Sequence, residues 1–107
     1  MWVFMSDSFL SIVAHGTDPA VLVVRARHQG DIERAFPEVA AVVDKEADYL
    51  YHAHVPRERV AERLSEFVGE IAYPNFKNTV IDPDRHDAYM DIWSTMYKMQ
   101  VRGRTGW

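Results

Sequence analysis

A chain of 107 residues with 48% hydrophobic and 26% charged residues has the composition of one soluble globular domain, too short for a core plus a large substrate cleft. Its net charge of -4 provides no global field to draw it onto nucleic acid or anionic membrane, so binding to either requires a local patch. The absence of cysteine excludes disulfides, thiolate metal sites and thiol nucleophiles, and favours a cytoplasmic location.

Trp2 to Met5 reads as a short strand. Ser6-Asp7-Ser8 interrupts the apolar N-terminal run, which also lacks a basic segment, so no signal peptide is expected. No apolar run approaches the length of about 20 residues that spans a bilayer. Phe9 to His15 and Ala20 to His28 predict a hairpin across the turn Gly16-Thr17-Asp18-Pro19. Alternation in its second arm turns Val21, Val23, Arg25 and Arg27 one way and Leu22, Val24, Ala26 and His28 the other. The two arginines then form either a solvated sheet surface or an anion contact.

Gly30-Asp31 opens a short helix, Ile32 to Phe36, with Asp31 as N-cap and Pro37 ending it. Val39 to Asp44 and Asp48 to Val55 predict a second hairpin, although the first arm is also readable as helix. Pro56 fits the first position of a helix from Arg57 to Ala72. Its apolar stripe is Val60, Leu64, Phe67, Val68 and Ile71, and its charged face is solvated.

Tyr73-Pro74-Asn75-Phe76-Lys77-Asn78 cannot continue that helix, because Pro74 disfavours helical geometry at Tyr73 and both asparagines favour turns. Asp82 and Pro83 start a last helix that runs to about Gln100. Its apolar arc, with Tyr89, Ile92, Trp93, Met96 and Tyr97, is wider than one buried face requires. The expected domain is therefore 1–102, with a flexible tail at 103–107.

Several groupings admit chemistry. His52 and His54 share a strand face and could hold zinc with His28 or His15, or simply lie on a half-exposed sheet. Asp82, Asp84, His86, Asp87 and Asp91 could hold magnesium, but capping and the helix dipole account for most of them. No glycine pattern marks a nucleophile elbow or a phosphate loop. The loop residues Tyr73, Asn75, Phe76 and Lys77 combine stacking area, an amide and a cation, as a recognition loop would. The bland alternative is that Tyr73 and Phe76 plug into the core.

The segments DSFLSIVA, VRARHQGDIERAFP, PRERVAE, YPNFKNTV and RHDAYMDIWSTMY together resemble a group of small bacterial proteins of unassigned function that open with Met-Trp. The resemblance covers nearly the whole chain. It implies a self-contained domain carried in part on plasmids or prophages, and it assigns no activity, cofactor or functional residue.

The expected architecture is α+β: an antiparallel sheet of four to five strands from two hairpins, two C-terminal helices packed on one face, and one short helix between the hairpins. The leading functional expectation is a non-enzymatic interaction module that binds a protein partner or itself, without cofactor. Its candidate contact residues are Arg25, Arg27, Tyr73, Asn75, Phe76, Lys77, Arg85, His86, Trp93 and Tyr97. The alternatives are nucleic-acid or nucleotide binding by Arg25, Arg27, Lys77 and Arg85, and a small metal-dependent hydrolase.

Overall fold

The computed structural model describes residues 1–104. Among them, five antiparallel strands form one sheet: β1 (Trp2–Met5), β2 (Ser8–Ala14), β3 (Val21–Ala26), β4 (Val42–Val43) and β5 (Tyr51–Pro56), in the order β1-β2-β3-β5-β4. The helices are α1 (Asp31–Ala35), α2 (Arg57–Gly69) and α3 (Pro83–Arg104), with a 3-10 turn at Lys77–Thr79. The protein is α+β, with the sheet built from a β1-β2-β3 meander and a β4-β5 hairpin. Two compact units divide the chain, Met1–Ala72 and Tyr73–Trp107.

In the first unit the register is set by the hydrophobic alternation. Pairing of Ile12 with Val24, and of Val24 with Ala53, puts Leu10, Ile12, Val24, Ala26, Ala53 and Val55 on one face, where all six are buried. Ile32 and Ala35 from α1, Phe36 at its C-terminal cap and Val60 from α2 close over that face. Each fully buried large side chain here contributes about 1.5–3 kcal/mol of transfer free energy.

Three local expectations change. Asp31 is not the N-cap of α1; Gly30 holds that position in the left-handed conformation, φ 91°, which glycine adopts without a Cβ penalty. Asp31 is instead the first helical residue, and its buried carboxylate accepts the Phe9 N–H at 3.0 Å and pairs with the Arg34 guanidinium. This clamps α1 onto the β1-β2 turn. The strand expected at Val39 to Asp44 shrinks to Val42–Val43, because Val39 and Ala41 pack against the core. On α2 only Val60, Leu64 and Phe67 reach the core; Val68, in the last turn, stays exposed, and so does Ile71, which the helix does not reach because it ends at Gly69.

In the second unit Asp82 caps α3 as expected, its carboxylate accepting the Arg85 N–H at 2.9 Å. The helix continues past Gln100 to Arg104. Of the expected tail, residues 105–107 lie outside the described residues. Among the described residues no helix is long and apolar enough to cross a membrane.

Candidate functional site

The loop and the last helix meet through their aromatic side chains. The turn that follows Pro74 is fastened by Thr79, whose N–H and hydroxyl both donate to the Phe76 carbonyl at 2.9 and 2.6 Å. The turn carries Phe76 onto Tyr89, with ring centroids 6.0 Å apart and planes 19° from parallel. Tyr73 also packs against Phe76, with ring centroids 5.9 Å apart and planes tilted by 52°. One residue on, the Lys77 ammonium lies 4.8 Å from the centre of the Trp93 ring, a cation–π contact worth about 0.5–1 kcal/mol where solvent reaches it.

One turn further along α3, Tyr97 stacks on Trp93 at 5.7 Å and 10°. The pair follows from i, i+4 spacing on a helix. Trp93 and Tyr97 are 49% and 50% exposed, while Tyr89 is buried. Arg85 donates to the Tyr89 hydroxyl at 3.3 Å. His86 is half-buried, with Nδ1 4.0 Å from the Asp87 carboxylate. Asn75 is exposed, and its side chain makes no hydrogen bond among the described residues. Ile92, Met96, Met99 and Val101 extend the exposed apolar surface of α3. No protein-family model, curated protein or solved structure matches this chain.

Of the two arginines expected on one strand, Arg25 lies on β3 and Arg27 just past its end; both are in the first unit and are committed to structure. Tyr49, buried ahead of β5, is flanked by Arg25 and Arg27, whose guanidinium carbons lie 4.5 and 4.0 Å from its ring centre. Arg25 Nη2 also donates to the buried Ser11 hydroxyl at 2.7 Å, and its Nε is buried without a hydrogen-bond partner. Arg27 donates to the Asp48 carbonyl and carboxylate at 3.0 and 3.1 Å. That hydrogen bond raises the Arg27 pKa above its ordinary value. Sequence reasoning missed Tyr49, because it reads as one more apolar residue of the strand that follows.

The histidines form a looser group. His52 and His54 share the sheet face opposite the core and line an open cleft of 560 Å³ with Val23, Val39, Val42 and Asp44. His15 packs edge-on to His54 at 4.9 Å. Its Nδ1 accepts the Thr17 and Asp18 N–H groups at 3.2 and 3.1 Å, which leaves only Nε2 for a ligand. His28 is exposed, with Nδ1 3.0 Å from the Gln29 carbonyl. Among the described residues no three His, Asp or Glu side chains come together as a metal would require.

Proposed function

We propose that the protein is a non-enzymatic interaction module whose contact surface is the aromatic and methionine-rich face of its second unit. The observation that carries this reading is the Trp93-Tyr97 stack. Two large aromatic rings stand half-exposed, parallel and braced by Lys77, where an isolated soluble surface would leave scattered single residues. Pre-ordered aromatic side chains are the residue class that dominates interface energetics, because little rotamer freedom remains to be lost on binding. An inhibitor or accessory protein of a mobile genetic element would fit this reading, a role that rests on the sequence resemblance and not on the geometry of the stack.

The phosphate-binding alternative is less well supported by the same geometry. Each of the four cations it invokes lies against an aromatic ring: Arg25 and Arg27 against Tyr49, Lys77 against Trp93 and Arg85 against Tyr89. Arg27 is also ion-paired with Asp48.

The test uses the purified chain and its Trp93→Ala and Tyr97→Ala variants, with circular dichroism as the control for folding. Association, with itself or with a retained protein, is expected to weaken by about 2 kcal/mol or more in each variant, the scale of an interface hot spot. A wild-type chain that stays monomeric and retains nothing, with both variants equivalent to it, would refute the reading.

A further inference from the structure

One side of α3 is exposed along its length. Ala88, Ile92, Thr95, Met96, Met99 and Gly103 are all exposed, and at about 100° per residue they fall on one stripe of the helix. Their intervals of three and four match a helix-pairing seam. From Ala88 to Gly103 the stripe contains no charge; Arg85 precedes it on the same side of the helix, half-buried and turned onto Tyr89. Tyr89 and Trp93, which receive Phe76 and Lys77, lie on the neighbouring side.

Charges line one edge of this seam and are segregated along it. Asp84 and Asp91 stand in the first half of α3, Lys98 and Arg102 in the second, all exposed. The complement of the acidic half is therefore present on the same helix, and a second copy supplies it if the two helices run in opposite directions. In a parallel pair the two-fold axis runs along the helices and places the two charged edges on opposite sides, so neither half would meet its complement.

We propose that α3 pairs with α3 of a second copy, antiparallel, about a two-fold axis that passes between Thr95 and Met96. This rests on the reading of the second unit as an interaction surface and commits it to self-association. The alignment sets Ile92 opposite Met99 and Ala88 opposite Gly103, so each contact made by one copy is returned by the other, as an isologous interface requires. It also sets Asp91 at a level between Lys98 and Arg102 of the second copy. Small residues at both ends of the seam let the helices approach, while isoleucine and methionine fill the middle.

The chain has no cysteine, so single introduced cysteines report the pairing directly. On mild oxidation Thr95→Cys, beside the axis, is expected to give a disulfide-linked dimer, and Ala88→Cys, opposite Gly103, is not. A disulfide-linked dimer of Ala88→Cys, which a parallel pair would form as readily as that of Thr95→Cys, overturns the antiparallel arrangement. Light scattering on the intact chain is expected to show a dimer that Met99→Glu converts to monomer with an unchanged helical spectrum. Asp91→Lys is expected to weaken the dimer about tenfold or more, with recovery on mixing with a Lys98→Glu, Arg102→Glu chain. A wild-type chain that remains monomeric at millimolar concentration overturns the inference. If that monomer still retains another protein through Trp93, the interaction reading stands without the dimer; if it retains nothing, both fall.

Discussion

Asp31→Ala is expected to destabilise the first unit by about 2–3 kcal/mol. The Asp31 side chain is 2% exposed; it accepts the Phe9 N–H at 3.0 Å and pairs with Arg34. Removing one member of a buried ion pair costs about 3–5 kcal/mol when the other charge is left stranded. Arg34, however, is 40% exposed and rehydrates, which offsets much of that term. What remains is the bond from a backbone N–H to a charged acceptor, about 1.5–3 kcal/mol, joining residues 22 apart in sequence. Urea unfolding is expected to show the midpoint falling by roughly 1–2 M with an unchanged slope. Asp31→Asn, whose amide oxygen still accepts from Phe9, is expected to lose less. A loss below about 0.5 kcal/mol for the alanine variant, the range of a neutral surface change, would refute the reasoning.

Gly30→Ala is expected to lose about 1–2 kcal/mol in the same assay, because φ is 91° there and the new Cβ would lie 2.7 Å from an Arg34 nitrogen. Glu38 accepts a hydrogen bond from Arg59 that holds its carboxyl below the ordinary value of 4.5. A depressed folded-state pKa stabilises above the unfolded value and is lost as pH falls through the folded one. The stability difference between wild type and Glu38→Gln is therefore expected to be present at neutral pH, to begin to shrink as pH falls past the ordinary value of 4.5, and to be lost once it has passed the depressed folded value, as thermal melts on acidification would show. Phe76→Ala removes the ring that contacts both Tyr73 and Tyr89, a loss of about 0.5–1.5 kcal/mol. Hydrogen exchange is expected to speed up roughly tenfold across residues 73–80 as the loop is released.

The sequence was most legible where structure follows from local chemistry. Strand-forming runs located β2, β3 and β5 and alternation separated the two sides of β3, and the Asp82-Pro83 pair located the start of α3, because a cap is a contact within one turn. It was least legible where tertiary packing competes. Val39 and Ala41 have strand-like neighbours yet turn toward the core, which cuts β4 to two residues. Asp31 has the composition of an N-cap, but a backbone donor on β2 takes its carboxylate. Nothing in Val101-Arg102-Gly103-Arg104 forces α3 to stop at Gln100, since a helical glycine costs only about 1 kcal/mol.

For the candidate site, the residue types were legible and the pairings were not. Arg25 and Arg27 are recognisably on one face of a strand, but the ring between them belongs to Tyr49, on a segment that reaches β3 only through the sheet. The same holds for Lys77 and Trp93, which loop and helix bring together. These pairings change the chemistry of the surface. An arginine stacked on tyrosine and donating to a neighbouring carboxylate, as Arg27 does with Asp48, must give up that contact before it can serve a phosphate. What reads as a set of four basic residues is therefore a set of clamps on aromatic rings. The exposed apolar side of α3, which the width of its hydrophobic arc announced, is the feature that such clamps leave unanswered.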